Sequence, residues 1–315
     1  MHIMRNNRSF PCVYAVMTHK SYASYAAVLQ CLSQKAAAFF PDDPRPIKWE
    51  STLTDFETGL LPAIRDHNFL APPPIAVKGC HFHHTESIWR QIQREGLTRQ
   101  YRVDEGFKNF IKGLFAIPFL PPHEVEDGYN EFIASAASRR TTERYPRLLN
   151  ICHYYENTWL HGNFPIPMWN VYDVGEIRTN NNIEGWHRDC NDVFGQHSSL
   201  WKFLSTLHST QKKEEGWFAK LCNGNRRALS DKRKKKYQQK EDSLKQLKDD
   251  YDNGYFPSKV DYIVAVSRFQ GAAHGEEDIR QEDLAFFEGE EAANNDDGEV
   301  ESEDEYEIEG QEQDD

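Results

Sequence analysis

Over its first hundred residues the chain alternates short β-prone runs with amphipathic helical segments, and this alternation restricts the fold more than any other feature. Cys12–Met17 follows Pro11 and reads as a strand. Tyr22, Tyr25, Val28, Leu29 and Leu32 then recur at helical steps, up to a stop at Phe39-Phe40-Pro41. Ile47–Thr54 is a second strand-like run with Asp55 at its end, and a helix opening at Phe56-Glu57 carries Leu60, Leu61 and Ile64 on one face. Pro72-Pro73-Pro74 halts the chain and Ile75–Val77 begins a third strand, which terminates at Gly79-Cys80. His81–Arg94 is the next helix, packed through Ile88, Trp89 and Ile92. The order β, α, β, α, β, α predicts a mostly parallel sheet covered by helices.

From Asp104 to His161 the periodicity is wholly helical, with aromatic stripes that read as ordinary core: Phe107, Phe110, Ile111, Leu114 and Phe115 share one face. A helix beginning near Ser198 carries Leu200, Trp201, Phe203, Leu204 and Leu207, and Lys232–Lys248 is a polar, charged helix. At 315 residues with 38% hydrophobic content the chain can bury a sizeable core. Six scattered cysteines do not have the spacing of a disulfide scaffold, so a reducing compartment is expected. The basic N-terminus has no apolar segment behind it, and the densest apolar run, Leu114–Leu120, is broken by Pro118. Neither secretion nor membrane insertion is expected. Charge is unevenly spread: of a net −13, residues 276–315 alone contribute −19, from 20 acids and Arg280, so the first 275 residues carry +6. A mildly basic body allows a polyanionic partner, and the acidic tail should be disordered.

Candidate chemistry gathers around Arg178-Thr-Asn-Asn-Asn-Ile-Glu-Gly-Trp-His187. Asn180–Asn182 supply helix N-cap chemistry, and Glu184 and His187 lie three apart, on one face of a helix. In α/β sheets functional groups collect at the carboxyl ends of strands, where Asp55 and Cys80 both fall by this reading. Asp55 and Glu184, arriving from separate elements, would share divalent ions that need hard oxygen ligands, a geometry suited to phosphoryl transfer. Cys80-x-x-His83 and His187-x-x-Cys190 together offer two sulfurs and two imidazoles, a set that zinc accepts; equally, Cys80 can be a buried strand-end thiol and His187 an ordinary helix-face residue.

Leu53-Thr-Asp-Phe-Glu57, Gly79-Cys-His-Phe-His-His84 with Trp89, Trp169-Asn170 and Arg178–His187, in this order and with an all-helical stretch between the second and third, resemble the catalytic region of Mutator-like element (MULE) transposases over roughly residues 11–220. The resemblance implies an incomplete α/β ribonuclease H-like fold with an all-helical insertion at about 104–161 and additional C-terminal helices. It divides the chain into a core at 1–223, a charged helical extension at 224–274 and an acidic tail at 275–315. It also implies a DDE triad holding two Mg²⁺ or Mn²⁺ ions for DNA cleavage and strand transfer, with the second Asp on Asp55 and the Glu on Glu184. The family's Cys-x-x-His motif falls on Cys80 and His83. His83 and His187 would position DNA or a metal-bound water, and Arg178 and Asn181 would contact phosphate. The strand that carries the family's first Asp, central in its sheet, has no counterpart here, so impaired chemistry is expected.

The partners implied are transposon-end DNA and further transposase subunits, and the compartment is the nucleus. Lys232–Lys236, near Arg226-Arg227, reads either as an import signal or phosphate-contacting patch or as a solvated helix face balanced by Glu241, Asp242, Asp249 and Asp250. The rival reading is a transposon-derived, non-enzymatic nuclear protein that binds DNA or another partner. If the acidic tail competes with DNA for the basic body, deletion of residues 276–315 is expected to tighten duplex binding at low salt, and fluorescence anisotropy of the two chains compared across a salt series checks this.

Overall fold

The computed structural model describes residues 1–5, 8–43, 51–66, 76–175, 178–179, 183, 186, 190, 193–194, 199–224 and 235–270, all within a unit spanning Met1–Ala273. A second unit, His274–Asp315, holds the acidic tail, which lies outside the described residues together with Lys232–Arg233-Lys234. The architecture is mixed α/β, mostly helical with two small sheets. Among the described residues no helix is long and apolar enough to cross a membrane.

β1 (His2–Arg5) and β2 (Arg8–Pro11) form an antiparallel pair, with Ile3 opposite Phe10. The strand expected at Cys12–Met17 is not formed. β-propensity makes a strand only where a partner edge is available, and this run stays largely exposed, Val16 at 77%. Its neighbour instead buries Phe10 against Leu221, with Ile3, Trp217 and Phe218 around them. In place of the mostly parallel sheet expected, the described residues form two separate pairs, one antiparallel and one parallel.

That second pair joins β3 (Ser51–Thr54) to β4 (Ala76–Gly79), from Ser51 opposite Ala76 to Thr54 opposite Gly79. Before β3 lies α1 (Tyr22–Phe39), started by Ser21, whose hydroxyl accepts the Ser24 N–H; α2 (Leu60–Asp66) connects the two strands. Ala26 and Leu29 of α1 pack with Ala63 and Ile64 of α2, and Val77 of β4 joins them. Gly79 is required by close approach, since a Cβ there would stand 2.3 Å from the Phe56 ring.

The main core is helical. α3 (His81–Arg94) is followed by α4 (Thr98–Val103), α5 (Glu105–Ala116), α6 (Val125–Ala134), α7 (Ala136–Arg144) and α8 (Leu148–Tyr155), which widens into a π turn over Glu156–Leu160. Asp104 starts α5 by accepting the Phe107 N–H at 2.8 Å, and that bond, with the Tyr145 hydroxyl and the nearby Arg144, holds its carboxyl below the usual range. The short α9 (Ile166–Trp169) returns the chain to β4, where the Lys78 ammonium donates to the Pro167 carbonyl at 2.8 Å. α10 (Leu200–Cys222) reaches β2 but leaves Leu200 and Trp201 exposed, unlike the buried stripe its sequence predicts. After α11 (Lys235–Asp252), α12 (Lys259–Ser267) buries Tyr262, Ile263 and Val266 in the same core as α5 and α6, across the boundary drawn at 223/224.

Two histidines of α3 lie inside this core. His81 donates through Nε2 to the Phe115 carbonyl at 3.1 Å, and His84 stacks on Trp169 at 5.4 Å between Tyr155 and Trp159, with neither ring nitrogen hydrogen-bonded. Burial pushes His81 down to about 3 against the opposing carbonyl bond, and burial, with the charge of His81, holds His84 well below the ordinary imidazole range. The unfolded chain takes up these protons near pH ~6.5 and the native state does not, so the stability they confer is complete above that pH and lost below it. The unfolding free energy from urea titrations is expected to fall from pH 7 to pH 5 by up to ~1.4 kcal/mol per pH unit for each histidine, with His84→Leu flattening the slope.

Candidate functional site

Parallel pairing brings the ends of β3 and β4 to the same edge. The ladder extends one step past Gly79, where the Cys80 N–H donates to the Thr54 carbonyl at 2.9 Å, so Asp55 and Cys80 leave the sheet side by side. Cys80 is also the N-cap position of α3, and three residues later His83 returns to the same side of the first turn. Its Nδ1 lies 3.1 Å from Oδ1 of Asp55. One ligand atom from each of Asp55, Cys80 and His83 falls within 4.8 Å of the others. Cys80 is fully buried, whereas the side chains of His83 and Asp55 are 24% and 46% exposed, so the cluster is closed on the sulfur side and accessible on the carboxylate side.

Glu57 stands two residues beyond Asp55, accepts a short hydrogen bond from the Tyr25 hydroxyl and pairs with Lys20 at 3.1 Å. Tyr25 is raised by burial, then by that bond and by the charges of Glu57 and Asp55, so its hydroxyl stays protonated beside the cluster.

The stretch beginning at Arg178 arrives at this same edge, because the Arg178 carbonyl accepts the His81 N–H at 3.0 Å in the first turn of α3. Its side chain is committed elsewhere. Both carboxylate oxygens of Glu241 on α11 accept from the Arg178 guanidinium, at 2.6 and 2.5 Å, and the group lies 5.4 Å over the Phe119 ring with 12% of the side chain exposed. One guanidinium nitrogen of Arg178 thus donates to both oxygens of the Glu241 carboxylate, in a charge-assisted contact. Glu184, Asn181 and His187 lie outside the described residues. Residues 183, 186, 190, 193 and 194 are helical, which agrees with the helix expected after the asparagines.

Of the four ligands expected for zinc, Cys80 and His83 come together and His187 lies outside the described residues. Cys190 is buried among neighbours that include Tyr14, whose hydroxyl feels its charge, and it does not join the group formed by Asp55, Cys80 and His83. The sequence reading paired Asp55 with Glu184 and Cys80 with the second Cys/His pair; strand register puts Asp55 beside Cys80, a contact that the two strand-end positions already indicated. Trp169 and Asn170 prove structural. The Trp169 indole donates to the Trp159 and Phe164 carbonyls, both at 3.1 Å, and the Asn170 amide donates to the Leu120 carbonyl at 2.7 Å while its oxygen accepts the Tyr172 N–H at 3.1 Å.

The cluster thus combines a hard carboxylate, an imidazole and a soft thiol, ligands suited to holding a divalent cation at an accessible edge. The Arg178–Glu241 pair, in turn, ties the returning chain to α11. Removing one charge leaves the other largely buried, so Arg178→Ala is expected to cost about 3 kcal/mol in chemical denaturation.

No protein-family model matches the chain, and neither curated proteins nor solved structures yield a match.

Proposed function

We propose that the chain is the catalytic-core portion of a DDE-type DNA transposase of the Mutator-like kind, acting at phosphodiesters from the edge where β3 and β4 end. The observation that carries this reading is the meeting of Asp55 and His83, from two motifs far apart in the chain, at 3.1 Å beside Cys80. The Arg178 carbonyl, accepting from the start of α3, supports it by bringing the fourth motif to the same helix end. The division of strands into one antiparallel and one parallel pair is also what a ribonuclease H-like sheet leaves when its central strand is not counted. The helical block of α4–α8 supports the reading, since the family carries a helical insertion before its last carboxylate.

Asp55 and Glu184 would hold divalent ions against the substrate phosphate, one activating the attacking oxygen and the other stabilising the leaving oxygen. A core holding Asp55 and Glu184 in these roles is expected to bind DNA with cation dependence. Such a substrate places the protein in the nucleus, with the Lys232–Lys236 run as import signal.

Anisotropy with duplex DNA tests this. Mn²⁺ or Mg²⁺ is expected to tighten binding by about tenfold, some 1.4 kcal/mol, and Asp55→Ala and Glu184→Ala to abolish that gain. DNA binding indifferent to cations and to both substitutions overturns the reading in favour of a non-enzymatic DNA-binding protein. Absence of DNA binding contradicts both.

A further inference from the structure

We propose that Asp55, Cys80 and His83 form a binding site for a transition-metal ion of the zinc class, with Cys80 bound as thiolate and a coordination position left open toward solvent. The inference names the ion that the strand-end site takes; it rests on the geometry of that edge and not on what is done to DNA there.

Three features carry it. The first is donor chemistry. A thiolate and an imidazole are ligands that zinc and cobalt take readily and that magnesium, which prefers hard oxygen, does not. Asp55 completes a sulfur, nitrogen and oxygen set like those of open zinc sites, in which three protein ligands leave a fourth position for water or substrate. The second is distance. Nδ1 of His83 and Oδ1 of Asp55 are 3.1 Å apart, close to the ~3.3 Å between two ligand atoms at ~2.0 Å from a tetrahedral ion. All three ligand atoms lie within 4.8 Å, within reach of one ion after a small side-chain adjustment. The third is placement. The sulfur is fully buried at the last step of the strand ladder, where the backbone fixes it, and the carboxylate faces outward. That arrangement holds the ion from the inside and opens it to the outside. On binding, the Cys80 thiol gives its proton to the buffer as the sulfur–metal bond forms, with no change of oxidation state.

Cobalt(II) titration of the full, metal-stripped chain tests the proposal. One equivalent of Co²⁺ is expected to give a near-ultraviolet thiolate-to-cobalt charge-transfer band that stoichiometric Zn²⁺ removes and a large excess of Mg²⁺ does not. Cys80→Ser is expected to abolish the band. Asp55→Asn and His83→Ala should keep the thiolate but weaken binding by more than the ~10–100-fold that loss of an outer-shell partner costs. Cys80 is fully buried, so if Cys80→Ser does not fold, the two partly exposed positions decide. No band, a band that survives loss of Cys80, or an affinity untouched by both Asp55→Asn and His83→Ala overturns the site. The two proposals fail separately. Cobalt binding without cation-dependent DNA binding leaves this site standing and removes the transposase reading. Cation-dependent DNA binding through Asp55 without a cobalt–thiolate band does the reverse.

Discussion

Four backbone rungs between β3 and β4, extended by the Cys80 amide to the Thr54 carbonyl, hold the candidate site together. Strands of four residues in a two-stranded sheet do not persist unaided, and two apolar clusters supply the support. Val77 joins the α1–α2 cluster, and Phe56, next to Asp55, packs by its edge on Trp159 at 4.7 Å and on Phe164 at 5.1 Å. The residue before the aromatic anchor is therefore the one that reaches the metal-capable edge. Asp55 is positioned by the packing of Phe56 as much as by the sheet.

The helical block gives the edge its other half. α3 leaves the strand end carrying the buried His81 and His84 on one face and His83 on another. The chain then passes through α4–α9 before Arg178 returns to bond the start of the same helix. One helix terminus thus gathers three separated parts of the sequence: the end of β3, the end of β4 and the segment leading to Glu184. Its chemistry is mixed, because the buried sulfur favours a soft ion while the exposed carboxylate serves a hard or a soft one. The ion that such a set would prefer bears on whether the edge suits phosphoryl transfer, a zinc-class centre, or both.

Much of this edge was legible in the sequence. The Gly79-Cys80 stop, the helix at His81–Arg94 and the strand ending at Asp55 follow from periodicity and breakers, and the structure has them where they are expected. The hairpin was hidden because His-Ile-Met-Arg and Arg-Ser-Phe-Pro are too short and too charged to show a two-residue period, whereas the more apolar Cys12–Met17 run attracted the assignment without having a partner edge. The commitment of Arg178 to Glu241 could not be read, since it joins residues 63 positions apart through tertiary packing. Spacing within one helix, as in His187-x-x-Cys190, does not say which other element that helix faces. α12 was missed because its nine residues carry Tyr262, Ile263 and Val266 in a stretch bordered by charge.

The central claim is that a divalent ion binds where β3 and α3 meet, beside the returning Arg178 backbone. Iron(II) substituted at that position, with ascorbate and peroxide, cuts the backbone through hydroxyl radicals formed beside its ligands. Fragments ending near Asp55 and near Cys80–His83, all suppressed by competing Mn²⁺ or Zn²⁺, are the result expected. Cuts scattered along the chain, or none near Asp55 and Cys80, would contradict it.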